Sequence, residues 1–376
     1  MVLEINDRIR VRKLQYFDGF TIHRKYDSIG STFKFNFTFN PNNPEHKEFA
    51  CVGHVHIAYL RDEGDLLMTG YILVEEFTDA PQEKMVSIQG YSLPGVLQDC
   101  EIPTGEPSSW FVTAKGYAKY VVNKIWPGTL QSDQLSLREI AQKMINPFNL
   151  QMSVDSSVAA DMDKKFDETT AKETQSIKSY LCELAAQKNI VITDNPKGQV
   201  VFTRPRSGQK PIYHFDRSKG DIPGTTMKLT FNARQMHSHI RVVQQQDRDS
   251  ELPANEFLLE NPYIPLVFRP HVTVQSSGNA DDTEQSARNV LSKELKGLRL
   301  VIETDVWRIS NKLWEPGQII SVTNPYLYLY KKEEWFIEEV ILTGDAEKKT
   351  ASLVCVLPCV YDGTTPRYIW EGINLH

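Results

Sequence analysis

Cysteine is sparse in this chain and odd in number. The 376 residues include five, Cys51, Cys100, Cys182, Cys355 and Cys359, scattered without a pattern. No disulfide framework follows, and a reducing cytoplasm is the expected place of folding. Long apolar runs are missing too, so no membrane-spanning helix is expected. The opening MVLEINDRIRVRK lacks the apolar core of a signal peptide. Excess positive charge is absent: 42 Lys and Arg face 48 Asp and Glu, a net charge of −6. That balance argues against broad gripping of phosphates. The chain also has no G-x-S-x-G, no H-E-x-x-H, no G-x-x-x-x-G-K-[ST] and no G-x-G-x-x-G. Their absence removes the enzyme classes built on those motifs and leaves others open.

What is present is ordinary globular composition, 40% hydrophobic and 24% charged. This length favours roughly two to four domains with ample core. Residues 1–95 read as an all-β unit. Arg8–Val11 and Phe20–Tyr26 are short strands. In STFKFNFTFN, Phe33, Phe35, Phe37 and Phe39 fall on one face and Lys34, Asn36 and Thr38 on the other, the mark of a half-buried strand. Pro41-Asn42-Asn43-Pro44 is a turn, Val52–Leu60 a strand, and Arg61–Gly64 its turn. The stretch Leu66–Cys100 then reads as a hairpin and a short helix. Met68–Phe77 is apolar, Asp79-Ala80-Pro81 breaks it, and Met85–Tyr91 alternates. Pro94 starts a helical turn, where its missing N–H costs nothing. Short strands at regular spacing suggest a barrel or sandwich.

Residues 96–224 change texture. Gly105–Trp110 is a polar loop. Ser136 and Glu139 form a capping box, followed by an apolar stripe of Leu137, Ile140, Ala141 and Met144 that ends at Asn146-Pro147. A second helix runs from about Thr174 to Lys188 with Ile177, Tyr180, Leu181, Leu184 and Ala185 inward. Ile190–Thr193 and Gln199–Phe202 are strands around a turn carrying Gly198. Pro205–Gly224 reads as a connection. Residues 225–360 return to β, with strands near 227–233, 239–244, 267–274, 298–306, 318–322, 335–342 and 351–357. One helix interrupts them near 276–297. Asp281, Asp282 and Glu284 suit its positive end, and Lys293 and Lys296 its negative end. Ala287, Val290, Leu291 and Leu295 form its stripe, and Gly297 reads as its C-cap. Residues 361–376 form a polar-aromatic tail. The segment EEWFIEEVILTGDAEKKTASLVCVLPC loosely repeats the plan of Leu66–Cys100. Duplication and convergence of two ordinary hairpins both fit that likeness.

Candidate chemistry is thin. His54 and His56, and likewise His237 and His239, share a strand face and can begin a metal site, but neither pair has a third ligand nearby. Partly exposed strand residues is the plainer reading. Cys355 and Cys359 read as core thiols. Glu75-Glu76 and Glu338-Glu339 place adjacent carboxylates on opposite faces, so neither pair can flank one sugar bond, and solvated edges fit better. Tyr326, Tyr328 and Tyr330 share a face if extended, and either cover a barrel or form a subunit contact. No catalytic, cofactor-binding or metal residue is assigned, and no cofactor is expected.

The order of the stretches is distinctive: a β unit ending in GYSLPGVLQDC, then SLREIAQKMINPFNLQM, then ETQSIKSYLCELAAQKNIVITDNPKGQVVFTRP, then a second β unit. This resembles the baseplate hub protein of Mu-like contractile-tailed phages and prophages. Leu97–Cys100, the helix ending at Pro147-Phe148, and Leu181–Thr203 with Gly198 in its turn carry the resemblance. The hub region of type VI secretion spike proteins is similar in architecture, although no spike domain is expected after residue 376. The resemblance implies a homotrimer whose two barrel domains per chain form a ring of six, matching a sixfold tail tube and a threefold spike.

The expected fold is therefore α+β, mainly β, with two related β-barrel domains and inserted small α/β domains. Residues 1–95 are the first barrel domain, 96–224 the α+β middle domain and connection, 225–360 the second barrel domain, and 361–376 the tail. The expected function is a structural, non-enzymatic baseplate hub of a contractile phage tail. Its expected partners are itself as a homotrimer, the tail spike, tube and baseplate proteins, and phage DNA passing without specific binding, with no membrane insertion. Its expected place is the virion tail baseplate, after assembly in the host cytoplasm. The rivals are a tail-tip hub of a non-contractile phage, a tail-associated cell-wall hydrolase with carboxylates in the 96–224 domain, and a carbohydrate-binding module using exposed aromatics.

Overall fold

The alternation in STFKFNFTFN becomes a half-buried strand. In the computed structural model Phe33, Phe35 and Phe37 are buried, while Lys34 and Thr38 are exposed. The structure describes residues 1–6, 11–15, 17–49, 55–102, 131–172, 174–205, 208–244, 256–275, 280–345, 347–362 and 364–371. Most of the expected strand Arg8–Val11, the start of Val52–Leu60, Cys51, His54, the loop Gly105–Trp110 and the last residues of the tail lie outside them. So do the side chains of Asp281 and Asp282. The fold is mainly β and divides into two compact units.

The first unit comprises Met1–Arg204 and Ile341–Lys349. Its strands are β1 Val2–Asn6, β2 Val11–Leu14, β3 Gly19–Lys25, β4 Thr32–Thr38, β5 His56–Asp62, β6 Asp65–Ala80 and β7 Glu83–Ser92, with helix α1 Pro44–Phe49 before β5. They pair antiparallel in the order β3-β4-β7-β6-β5-β1-β2. The β5–β6 hairpin turns at Glu63 and Gly64, whose φ values of 51° and 92° suit the twist of the flanking strands. The hairpin read from Leu66–Cys100 is β6 and β7, longer than expected because Asp79 and Ala80 stay paired to Lys84 and Glu83. Pro81 then begins the turn. Gly90 is needed for close approach: a Cβ there would lie 1.9 Å from the Tyr71 carbonyl and 2.7 Å from the Phe33 ring.

No closed barrel is present among the described residues. Closure requires the two edge strands to pair. Instead β3 takes β22 (Leu329–Gly344) as its second neighbour, and the β22 end belongs to the Ile341–Lys349 tip counted in this unit.

Residues 96–204 add helices α2 Val96–Asp99, α3 Leu137–Ile145, α4 Ala159–Asp163 and α5 Ile177–Gln187. The short strands are β8 Gln131–Asp133, β9 Met152–Val154, β10 Glu168–Thr170, β11 Val191–Asp194 and β12 Val200–Thr203. The capping box forms: Glu139 N–H donates to Ser136 Oγ at 3.3 Å, and Ser136 N–H donates to Glu139 Oε2 at 2.8 Å. All nine residues named for the two helix stripes are buried. They join Val200, Phe202 and others in one core, each large side chain contributing about 1.5–3 kcal/mol on burial. The central strand β12 runs antiparallel to β11 and parallel to β9. Ile29 and Leu97 enter the same core. Asp194 fastens the β11–β12 turn to the first sheet, accepting from Ser31 N–H at 2.9 Å, from the Ser31 hydroxyl at 2.8 Å and from the Ser92 hydroxyl. Thr69 adds a bond to the Pro196 carbonyl at 2.9 Å.

The second unit comprises Pro205–Val340 and Thr350–His376. The stretch Pro205–Gly224 is not merely a connection. It holds β13, His214–Asp216, which runs parallel to β21, Ile319–Asn324. Three residues are too few to show a period, so sequence hid this strand. The main sheet runs β14 (Thr225–Phe231), β18 (Leu298–Thr304), β23 (Lys349–Val356), β22, β21 and β13. No pairing among the described residues joins β13 to β14, so this sheet is open as well. Between β14 and β18 lie β15 His239–Gln244, β16 Glu256–Glu260, β17 Pro270–Gln275 and α6 Ala280–Glu294. In this small sheet β15 is central, antiparallel to β16 and parallel to β17. Ala287 and Leu291 of α6, Leu295 beyond it, and Ile240 and Val242 of β15 are buried.

Gly297 does not cap α6 in a left-handed conformation. It lies in a short 3-10 turn, and a Cβ there would meet the Asn232 carbonyl at 2.4 Å, so space and not φ requires glycine. A minor hairpin, β19 Arg308–Ile309 and β20 Lys312–Leu313, precedes the buried Trp314. The final helix is α7, Cys359–Asp362. The described part of the tail is docked: Tyr263 Oη donates to the Arg367 carbonyl at 2.7 Å, and Arg367 pairs with buried Glu333.

Candidate functional site

Burial and neighbours decide the fate of each residue flagged by sequence. His237 is held by Glu294, whose Oε1 lies 2.6 Å from Nδ1 and whose Oε2 accepts the backbone N–H at 2.8 Å. The His271 ring lies beside it with centroids 4.7 Å apart. His239 bonds Ser238 Oγ instead, at 2.8 Å. Among the described residues no group of three His, Cys, Asp or Glu side chains is placed to hold a metal. Cys355 and Cys359 are buried free thiols, and burial pushes the Cys359 thiol up to about 12.

Glu338 corrects the expectation of a solvated edge. Its side chain is 0% exposed, against Lys296 Nζ at 2.9 Å, Arg299 at 3.5 Å and the Tyr361 hydroxyl at 2.7 Å. Strand alternation sends Glu338 inward with Phe336 and Val340, and Lys296 reaches it from the turn after α6 and Arg299 from β18. A buried carboxylate needs such partners, and sequence spacing does not reveal them. Glu75 is half-buried and Glu76 exposed, so neither pair makes a two-carboxylate cleft.

The tyrosine run is not extended. Pro325–Leu327 is a 3-10 turn capped by Asn324, whose side chain accepts the Tyr326 N–H at 3.1 Å, and Tyr328 is left-handed at φ 59°. The turn removes the shared strand face. All three rings still stand in solvent, at 83%, 58% and 55% exposure for Tyr326, Tyr328 and Tyr330. Exposed aromatics of this kind suit protein contact more than chemistry.

Two further surfaces escaped the sequence reading. Val267 and Phe268 were expected at the start of a strand, but β17 begins at Pro270. Leu266, Val267 and Phe268 are left in an exposed loop, Leu266 at 94% and Phe268 at 77%. The outer face of the small sheet continues them through Leu258, Val272 and Val274, all more than half exposed. The second surface is a shallow groove of about 380 Å³ on the outer face of β4, β6 and β7. Lys34, Leu73, Val74, Gln89 and Tyr91 line it. The register shift between Ile72 and Val74 turns both Leu73 and Val74 toward solvent. The closely spaced prolines at 262, 265 and 270 were the available signal for the loop. No helix among the described residues is long and apolar enough to cross a membrane.

Comparison with known proteins finds a family match on part of the chain and a shared fold along nearly all of it. Residues 124–204 match the family described as baseplate hub protein gp44-like, second domain. The fold is similar to that of the 43 kDa tail protein of prophage MuSo2 from Shewanella oneidensis, with a TM-score of 0.76 and 18% identity over 96% of this chain and 99% of that one. It is similar to a tail protein of Neisseria meningitidis MC58, with a TM-score of 0.72 and 14% identity over 96% and 98% of the two chains. It is also similar to c3393 of E. coli, described as a type VI secretion component, with a TM-score of 0.52 and 8% identity over 94% and 76%. At these identities the likeness is one of fold. No curated protein matches the sequence. The sequence resemblance to baseplate hub proteins is thus met by a family match at residues 124–204 and by tail-protein folds along nearly the whole chain.

Proposed function

We propose that this chain is a structural baseplate hub of a contractile phage tail. The observation that carries the proposal is the hub-family match at residues 124–204, set within a fold shared with prophage tail proteins over 96% of the chain. Three copies close into a ring around an axial channel. Each copy contributes two β units, residues 1–95 and 225–360, with the 96–224 domain joining them in sequence and a helical insertion near 276–297 within the second. Six similar units then face a sixfold tail tube, and the true threefold faces the central spike. A run of antiparallel strands in each compact unit, β3-β4-β7-β6-β5-β1-β2 in the first and β14-β18-β23-β22-β21 in the second, supports that count.

The proposed partners are a second and third copy, the spike, and the tube and baseplate proteins. Phage DNA passes through without specific binding. Three chains at −6 each carry −18, a charge compatible with DNA passing without being held. The protein works in the virion baseplate after assembly in the host cytoplasm. It performs no catalytic step.

The test is immunogold labelling of particles induced from the native phage or prophage, with a zymogram run on the purified protein. The expected result is label at the end of a sheathed tail distal to the head, with no clearing of the cell-wall substrate. Label at the tip of an unsheathed tail overturns the contractile assignment, and clearing overturns the non-enzymatic one.

A further inference from the structure

We infer that the loop Leu266–Phe268 of one copy seats in the groove over Gly90 of the next, which makes this the contact that closes the ring. The inference rests on the proposed homotrimer and names its interface. A cyclic ring needs two different, complementary surfaces on every chain, because each contact joins one surface to the other and not to itself. The described surface offers such a pair.

The loop is a knob. Leu266 at 94% and Phe268 at 77% exposure are large apolar side chains standing in water, and Leu258 and Val272 extend the patch across the outer face of the small sheet. In register, Leu258 and Val272 flank Arg241 from the two sides, so they form one row. Exposed apolar side chains on both sides of the Arg241–Glu256 ion pair mark this face as a site of association.

The groove is a hole. It lies on the outer face between Lys34 and Gln89 on one side and Leu73 and Val74 on the other, and its volume of about 380 Å³ accepts large apolar side chains. Leu73 and Val74 supply apolar walls at 42% and 49% exposure. The register shift between Ile72 and Val74 is what turns both walls outward beside Lys34 and Gln89.

Charge selects the occupant. Lys34 at the groove rim is exposed and makes no ion pair among the described residues. Glu260 is exposed and likewise without an ion pair among them, and it lies beside the knob. It pairs in register with His239, whose ring contacts Phe268 at 5.5 Å between centroids. An apolar knob with a lone carboxylate complements an apolar groove with a lone ammonium. Both halves are present on one chain, so the occupant is a second copy.

The test uses Phe268→Glu on the knob and Leu73→Glu on the groove, with Val272→Glu and Val74→Glu as second variants at exposed sites. Light scattering at micromolar concentration should give three times 43.0 kDa for the unaltered protein and a threefold lower mass for each variant, with unchanged melting temperatures. A 1:1 mixture of the knob and groove variants should give twice 43.0 kDa, since one intact knob still meets one intact groove. Lys34→Glu and Glu260→Lys should each shift mass toward monomer, and together restore the trimer. A trimeric parent with variants that remain trimeric overturns this interface and leaves the trimer standing, the exposed faces then meeting another tail protein. Monomeric variants that do not complement one another overturn the knob-to-groove pairing. A monomeric parent overturns the trimer, and this inference with it.

Discussion

Asp194 Oδ2 accepts the backbone N–H of Ser31 at 2.9 Å, and its Oδ1 accepts the Ser31 hydroxyl at 2.8 Å. The carboxylate also accepts the buried Ser92 hydroxyl, so one side chain of β11 satisfies three donors beside β4 and β7. Asp194→Ala removes every acceptor and strands those donors. A loss of about 3 kcal/mol or more is expected from charge-assisted bonds and unsatisfied buried groups. Urea unfolding of the first unit, followed by hydrogen exchange at Ser31, measures it. Asp194→Asn should lose less, since one oxygen remains.

Gly90→Ala should be severely destabilising, by about 3 kcal/mol or more, because its Cβ would overlap the Tyr71 carbonyl at 1.9 Å. Gly19→Ala is the matched comparison. Its nearest neighbour is the Gly344 carbonyl at 4.0 Å, so it should be neutral or stabilising by up to about 1 kcal/mol. Thermal melts of the two variants should separate clearly, and equal melts would deny the close strand approach.

Two acidic groups should respond to pH with opposite sign. Burial raises the Glu333 carboxyl above its usual 4.5, with Arg367 opposing. The folded state then holds the proton more tightly, so stability from this group is fully present below 4.5 and is lost as pH rises through the raised value. Bonds from Lys164 and Arg204 hold Asp161 below its usual 3.8. Its contribution is present above 3.8 and lost as pH falls through the depressed value. Melting curves from pH 7 to pH 3 check both. Wild type should gain on Glu333→Gln as pH drops toward 4.5. Asp161→Asn should cost about 0.5–1 kcal/mol at pH 7 and converge with wild type in acid.

Thiol labelling should follow burial. The Cys182 thiol is pushed up to about 11 and Cys359 to about 12. At pH 8 only about one Cys182 thiolate in a thousand exists, and fewer for Cys359, so alkylation resolved by peptide mass should be slow for both in the native protein. Denaturant should release both together with unfolding. Rapid native labelling at Cys359 would contradict its place beneath α6, where Ser292 Oγ donates to its carbonyl at 2.9 Å.

Local signals carried as far as local physics reaches. The Ser136–Glu139 box and the stripes of α3 and α5 were legible because helix period and capping are properties of neighbouring residues. The Phe33, Phe35 and Phe37 face was legible for the same reason. The strands β8, β9, β10 and β13 have three residues each and exist through their partners, so no pattern marks them. Glu338 looked solvated because its partners Lys296, Arg299 and Tyr361 arrive from other elements. The Tyr326–Tyr330 run looked extended until Pro325 and a left-handed Tyr328 folded it into a turn. The knob and groove were missed because exposure is a tertiary property: apolar Val267 and Phe268 read as strand until β17 began beyond them.

The central claim is a closed ring of three chains. Electron micrographs of the purified protein, averaged in face-on view, test it directly. The account predicts a ring with a central opening, threefold symmetry, and six β units around the hole. Isolated compact particles without an opening, or a filament in place of a ring, would contradict it.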